Sequence, residues 1–237
     1  MRIQNRSNRM KRSSCLAAVA VAASILALTQ GPAYADSPRG QERAELREDV
    51  STAVWTSEDP QAVVDGFSDL EQELFEEAIN NMTAETAVSD FELLGPDDEQ
   101  VQAMGEEAVE LARIGQERAE AGVAAAQQQT QAAACYRHYQ YDEWYDLGFH
   151  TGDTWMELKW CHNGSSVTSH SVSQAGGVGY KGNEYEGLNR YYTRDVNWEI
   201  RKAAQFNFNF FGASAQPCTQ IRGGDGRYST RMDCNLS

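Results

Sequence analysis

The chain has 237 residues, with 35 acidic and 20 basic side chains and a formal net charge of −15 at pH 7. A charge of this sign repels nucleic acids and anionic membrane surfaces, so neither is expected as a partner. The length corresponds to one or two globular domains.

The first 35 residues have the three parts of an export signal. A basic start without acids precedes an apolar stretch from Cys15 to Leu28, and the Ala33-Tyr34-Ala35 pattern then suits cleavage. The apolar run is too short for a comfortable membrane span. The basic residues are Arg2, Arg6, Arg9, Lys11 and Arg12. We therefore predict a secreted, extracellular protein that starts near Asp36 and has no membrane span in its mature form.

Charge and aromatic content divide the mature chain into two regions. Residues 36–127 contain 24 acids and 5 bases, whereas residues 128–237 contain 11 acids and 10 bases. Four Trp, nine Tyr and five Phe lie from Cys135 onward, in 103 residues. This asymmetry predicts an acidic region at 36–130 and a second domain at 131–237, with the boundary near residue 130.

The acidic region has helical periodicity. A helix is predicted from Pro60, with Asp59 as its N-cap, and a long helix from Pro96. A weaker helix spans Gln41 to Val54, and Ala84 to Leu94 is taken as a short segment of the same helical region. The apolar positions are Val63, Phe67, Leu70, Leu74 and Ala78 in the first helix and Val101, Met104, Ala108 and Leu111 in the second.

The second region changes to a period of two, which is typical of strands. Met156, Leu158 and Trp160 share one face, Val196, Trp198 and Ile200 alternate, and so do Phe206, Phe208 and Phe210. Asn163-Gly164 predicts a hairpin, and a last hairpin joins residues 218–222 to 227–234. With a first strand at Cys135 to Tyr141, six to eight short strands are expected. The predicted fold class is α+β in two segregated regions: an acidic helical N-terminal region, then a small all-β sandwich or barrel.

Four cysteines lie in the second region, and an even number in a small exported domain predicts two disulfides. Three pairings of Cys135, Cys161, Cys218 and Cys234 are possible. We favour Cys135–Cys161 and Cys218–Cys234, although the second pair requires a bulge or a strand bend. The spacings of 26, 57 and 16 residues are unlike those of a zinc site, so no metal and no cofactor is predicted.

Two segments carry a family resemblance. CYRHYQYDEW at 135–144 and WCHNGSSVTS at 160–169 resemble exported actinobacterial proteins with a disulfide-bonded, aromatic-rich C-terminal β domain. The resemblance covers about the last hundred residues. It implies the β domain and its disulfides, and it implies no activity and no functional residue.

Several motifs are weak indicators of catalysis. Gly177 to Gly182 fits GxGxxG but lies among strands, so a mobile loop is predicted. Gly212 to Gln216 misses the last glycine of a serine-hydrolase elbow. The four histidines and the carboxylates near the first two strands show no spacing that selects a catalytic pair. These residues are His138, His150, His162 and His170, and Asp142, Glu143, Asp146, Asp153 and Glu157. No catalytic residue is predicted.

Aromatic residues near probable turns are the candidate ligand-binding residues, because rigid amphipathic rings suit polymer recognition. These candidates are Trp144, Tyr145, Tyr180, Tyr185, Tyr191, Tyr192 and Tyr228. Trp198 and the segment from Trp155 to Trp160 are assigned mainly to the core. The sequence thus predicts a non-catalytic module that binds an extracellular polysaccharide, cell-wall material or a protein. Two alternatives remain: an acidic pro-region that guards a small β effector such as an inhibitor or toxin, and an extracellular hydrolase.

Overall fold

The structure is a computed structural model that describes residues 38–120 and 133–237. The predicted export signal and the predicted boundary near residue 130 lie outside these residues. The first range contains five helices and one strand, and the second range contains eight strands. The helices are α1 (Pro38–Thr56), α2 (Pro60–Asp65), α3 (Asp69–Asn80), α4 (Glu99–Ala103) and α5 (Glu106–Glu120). The strands are β1 (Thr83–Leu94), β2 (Ala133–Asp146), β3 (Phe149–Asn163), β4 (Val167–Gly179), β5 (Glu184–Asp195), β6 (Ile200–Phe210), β7 (Ala213–Ala215), β8 (Cys218–Gly223) and β9 (Tyr228–Arg231).

Each of the two long helices predicted in the acidic region is broken in two. Asp59 caps α2 as predicted, but Gly66 ends that helix, and Ser68 and Glu71 form a capping box that begins α3. After Pro96, Asp98 caps the short α4, and Gly105 at φ +103° separates it from α5. Local capping therefore overrides the apolar period, which continues through both breaks.

The prediction that Ala84 to Leu94 belongs to the helical region is wrong. These residues form β1, which pairs antiparallel with β2 from Thr83–Tyr145 to Leu94–Cys135. Most side chains of β1 are exposed, so burial does not select the strand. The selecting interaction is the backbone pairing with β2, and long-range pairing of this kind outweighs weak local propensity.

The strands form two antiparallel sheets. Sheet A has the order β1-β2-β3-β4, and sheet B has the order β5-β6-β8-β9 with β7 paired to β6. One hydrophobic core contains Leu158 and Trp160 from sheet A and Phe206 and Phe208 from sheet B. Residues of α1 and α3 join this core, and Trp55 contacts Phe210 edge-on. A helical N-terminal part followed by a mainly β C-terminal part is thus confirmed.

Both favoured disulfides are present. Cys135 and Cys161 are directly opposite each other on β2 and β3. In the last hairpin Arg222 pairs with Ser229, not with Arg227, so the register is shifted by two residues from the sequence expectation. Continuing this register places Cys218 near Asp233, and the chain bends after β9, which lets Cys234 reach Cys218.

Two further segments differ from expectation. Gly177-Val178-Gly179 is the end of β4 and not a mobile loop, and the turn begins only at Tyr180. The alternation of Val196, Trp198 and Ile200 does not extend a strand, because β6 begins at Ile200 and Trp198 lies in the preceding turn. The Asn163-Gly164 hairpin between β3 and β4 is confirmed.

Candidate functional site

The seven candidate aromatic residues do not form one site. Trp144 is buried and donates its indole N–H to Thr154 Oγ1, at 2.9 Å. Tyr185 packs against Phe206 and Phe208 in the core. Tyr191 and Tyr192 lie on β5, and Tyr228 lies on β9. Only Tyr145 and Tyr180 come together, on the outer face of sheet A.

The outer face of sheet A is the side opposite the core. Tyr141 of β2 and Trp155 of β3 are cross-strand partners, and successive residues of a strand point to opposite faces. Because Met156, Leu158 and Trp160 fill the core, Trp155 points outward and is only half-buried. Helix α5 packs on the same face at the Cys135–Cys161 end, beyond the aromatic residues.

Four aromatic side chains and one histidine lie there in two groups of neighbouring rings, which Asp153 links through hydrogen bonds. We call this group the platform: Tyr141, Tyr145, His150, Trp155 and Tyr180. The rings of Tyr141 and Trp155 are nearly parallel, with an angle of 6° between their planes and centroids 6.2 Å apart. His150 joins the two tyrosines from the turn ends, at 5.1 Å from Tyr145 and 4.7 Å from Tyr180.

A glycine allows Trp155 to lie flat on the sheet. Gly176 of β4 is the cross-strand partner of Trp155. A Cβ atom at Gly176 would lie 2.6 Å from Cζ2 of Trp155 and 2.9 Å from Cε2, which is far inside van der Waals contact. The indole ring therefore covers the backbone of β4 at Gly176, and Trp155 as a whole is half-buried. The indole N–H of Trp155 has no hydrogen-bond partner within the described part of the chain, so it remains available to a ligand.

Asp153 fixes the position of three platform residues. Its carboxylate is 1 % exposed and accepts hydrogen bonds from the Tyr141 hydroxyl, from the Tyr180 hydroxyl at 2.5 Å and from His150 Nε2 at 2.6 Å. On the neighbouring strand, Tyr145 donates to Glu143 Oε2 at 2.5 Å. Hydrogen bonds to a carboxylate hold each phenol in one orientation, and this preorganises the surface for binding.

The same contacts keep the phenols protonated. Burial, and then the hydrogen bond to Asp153, raise the pKa of Tyr141. The hydrogen bond to Asp153 is the main cause of the raised pKa of Tyr180. The bond to Glu143 raises the pKa of Tyr145 to about 12. All three rings are therefore neutral donors to carboxylates across the physiological pH range.

The rim of the platform is acidic. The cations on the outer strand faces of β2 and β3 are Arg137 and Lys159, and both are paired with carboxylates. Glu85 lies directly opposite Glu143 across β1 and β2. With these cations already paired, the remaining carboxylates give the rim a negative potential, which disfavours anionic ligands.

The carboxylates considered for hydrolysis divide between the two faces of sheet A. Glu143 and Asp153 are cross-strand partners on the outer face, where both accept hydrogen bonds from platform residues. Asp142 points to the inner face, where it accepts hydrogen bonds from Gln140, Thr86 and Thr219. Burial raises the pKa of Asp142. Glu143 points to the opposite face, so the two neighbouring acids cannot act on one bond. Asp146 is also buried and accepts the indole N–H of Trp55. Within residues 38–120 and 133–237, no three of His, Cys, Asp or Glu are grouped as metal ligands.

Sequence reasoning missed Tyr141, Trp155 and Gly176 and placed Trp155 in the core region. Alternation with Met156 and Trp160 was a usable signal, because it puts Trp155 on the other face. Trp198, also assigned to the core, is 55 % exposed.

No protein-family model, curated protein or solved structure matches the chain. No helix in the described ranges has the length and apolarity of a membrane span. The geometry of the site therefore carries the functional conclusion.

Proposed function

We propose that this protein is a secreted, non-catalytic binding module, in which the two sheets pack as a sandwich and the platform holds a neutral extracellular polysaccharide. The observation that carries the proposal is the pair of nearly parallel rings, Tyr141 and Trp155, fixed by Asp153 and seated on Gly176. The export signal predicted at residues 1–35 supports secretion, and the two disulfides are compatible with an oxidising compartment.

A polysaccharide fits this surface better than a protein or a charged polymer. Sugar rings present a flat C–H face that packs on an aromatic ring, and their hydroxyls hydrogen-bond at the ring edges. The platform offers both features, because partly exposed rings lie beside the indole N–H of Trp155 and the carboxylate of Glu143. Its acidic rim repels anionic chains such as phosphate-bearing wall polymers. The platform lies on strands, which hold a site more rigidly than loops do.

The packing disfavours the pro-region alternative. Removing residues 36–130 would take away β1, which pairs with β2 along eleven residue partners. It would also remove Trp55 and Phe75, which pack in the same core as Phe210. The mature protein should therefore be one species that starts near Asp36, and the intact mass of protein from culture medium tests this. A dominant species that starts near residue 130 would instead support a cleaved effector.

Trp155→Ala is expected to reduce retention of the mature protein on an insoluble neutral polysaccharide by about tenfold or more, equivalent to ~1.4 kcal/mol of binding free energy. The substitution removes the indole of Trp155, which is the largest ring of the platform. The measurement is a sedimentation binding isotherm of disulfide-intact protein on microcrystalline cellulose, chitin and purified cell-wall material.

Tyr191→Ala is the matched control, because Tyr191 is an exposed ring on β5 outside the platform. It should bind as the unsubstituted protein does. Equal losses in both variants, or no retention of the unsubstituted protein on any of the three polymers, would contradict the proposal. Release of reducing ends from a retained polymer would favour the hydrolase alternative.

Gly176→Ala is expected to weaken the same binding by about threefold to tenfold with little change in overall stability. The new methyl group must displace the Trp155 ring, because its nearest neighbours are three atoms of that ring within 3.1 Å. Thermal unfolding checks the stability, and the sedimentation isotherm checks the binding. Unchanged affinity would show that Trp155 need not lie flat. Gly212→Ala is unsuitable as a control, because Gly212 has a φ of +99°, a backbone conformation that strains an alanine.

A further inference from the structure

A second concave site lies away from the platform. It is a cleft of about 410 Å³ between the β3–β4 hairpin, the turn before β6 and the β8–β9 turn. Its volume falls in the range that suits a small ligand. The residues that matter for its chemistry are His162, Ser165, Trp198, Asp225, Arg227 and Tyr228.

Trp198 supplies an aromatic wall on a fixed turn. Its side chain is 55 % exposed, the highest exposure among the large hydrophobic residues of the described ranges. The turn is held by backbone bonds: Trp198 N–H donates to Val196 O at 2.9 Å, and Val167 N–H donates to the Asn197 carbonyl at 2.6 Å. Asn197 has φ +68°, and its N–H is bound by the Asp195 carboxylate at 2.7 Å. An exposed ring on a turn with this many bonds is positioned rather than loose.

His162 forms part of the buried wall of the cleft. The side chain is 1 % exposed, and its Nδ1 accepts the Gly164 N–H at 2.9 Å. Burial lowers the pKa of His162, so the ring is neutral at pH 7 and its proton sits on Nε2. The Trp198 backbone opposes part of this lowering of the pKa. Nε2 is itself buried from solvent, so His162 belongs to the wall of the cleft and a ligand does not reach this nitrogen.

The charges of the cleft are balanced. Glu199 is paired with Arg201 at 2.6 Å, and Arg222 donates to Gln220 at 2.6 Å and to the Ser237 carbonyl at 2.9 Å. The side chains of Asp225 and Arg227 have no hydrogen bond or ion pair to other residues that the structure describes. The cleft therefore offers one carboxylate acceptor, one cationic donor and one ring face.

We propose that this cleft is a binding site for a single neutral pyranose, such as the terminal unit of a glycan. The sugar's C–H face stacks on Trp198, and adjacent hydroxyls pair with Asp225 and Arg227. An anionic ligand meets Asp225, a cationic ligand meets Arg227, and an apolar ligand leaves both charged side chains without a hydrogen-bond partner. The site stands independently of the platform, because it shares no residue with it.

The test is saturation-transfer NMR of the full mature protein with a panel of neutral methyl pyranosides. Methyl glucuronide and glucosamine serve as the charged comparators. We expect transfer to at least one neutral pyranoside, and a loss of about fivefold or more in the signal for Trp198→Ala and Asp225→Asn. Neither substitution removes a hydrogen bond of the fold, because the bonds of Trp198 are made by its backbone.

Trp155→Ala is the control that separates the two sites. The Trp155→Ala variant should show the same saturation transfer as the unsubstituted protein. The Trp198→Ala variant should instead sediment with polymer as the unsubstituted protein does. The inference is overturned if no neutral pyranoside shows transfer, if Trp198→Ala and Asp225→Asn leave it intact, or if it disappears only in Trp155→Ala. A preference for either charged comparator would also overturn it. Failure of polymer sedimentation alone would leave the cleft proposal standing.

Discussion

Asp153→Ala is expected to lower the free energy of unfolding by about 3 kcal/mol and to abolish most polysaccharide binding. The substitution removes the common acceptor of Tyr141, Tyr180 and His150, and each hydrogen bond to a charged group contributes ~1.5–3 kcal/mol when buried. The expected loss of stability is smaller than the sum of three such bonds. Tyr180 and His150 are partly exposed, so without Asp153 they can form hydrogen bonds with water.

The binding loss has a different cause from the stability loss. Without Asp153 the two phenol rings can rotate, so a ligand must immobilise side chains that the carboxylate now holds. Urea unfolding followed by circular dichroism, with disulfides intact, gives the stability, and the sedimentation isotherm gives the affinity. Measuring the affinity well below the unfolding transition ensures that both values refer to folded protein.

Glu143→Gln is the matched control. It changes one carboxylate that accepts from one tyrosine on the same face, and Gln can still accept that bond. The expected change in the free energy of unfolding is small, because this pair is partly exposed to solvent. If Asp153→Ala and Glu143→Gln behaved alike, Asp153 would not organise the platform. If Asp153→Ala abolished a release of reducing ends, the residue would belong to a hydrolase site.

Several strands of the second region were readable from the sequence, but β1 and the platform were not. The alternation of Met156, Leu158 and Trp160 predicts a strand and already separates Trp155 from the core face. It does not tell whether that outer face is covered by another element. In the structure α5 covers only the end near Cys135 and Cys161, and this depends on tertiary packing.

The partners of Asp153 come from segments that the sequence cannot bring together. Tyr141 is twelve residues away on β2, and Tyr180 is 27 residues away in the turn after β4. The pairing of Trp155 with Gly176 depends on a register shift between Glu157 and Leu158, and no local pattern specifies a bulge there. Registers and bulges, rather than element types, decide which side chains meet.

Acidification from pH 6.5 to pH 4 is expected to remove about 3 kcal/mol of stability through His138. This side chain is fully buried on the inner face, neither ring nitrogen has a hydrogen-bond partner in the described protein, and Tyr228 stacks on it at 4.0 Å. Burial lowers the pKa of His138 to about 4, and Asp90 opposes this shift only in part.

The sign follows from which state binds the proton. Between pH 6.5 and 4 the unfolded chain binds a proton at this histidine and the folded chain does not, so stability falls as pH falls through this window. Burial also lowers the pKa of His162 and His170, which contribute with the same sign. The raised pKa of Asp142 acts oppositely, because its contribution to stability is lost as pH rises.

His138→Phe isolates the contribution of one residue from this sum. Phe keeps a ring against Tyr228 but cannot bind a proton, so the free energy of unfolding should depend less steeply on pH between 4 and 6.5. Urea titrations at four pH values across this range measure the slope. The slope remains informative even if the variant is less stable at every pH, because a constant offset does not change it. Parallel curves for the variant and the unsubstituted protein would show that His138 is not the group whose protonation unfolds this protein in acid.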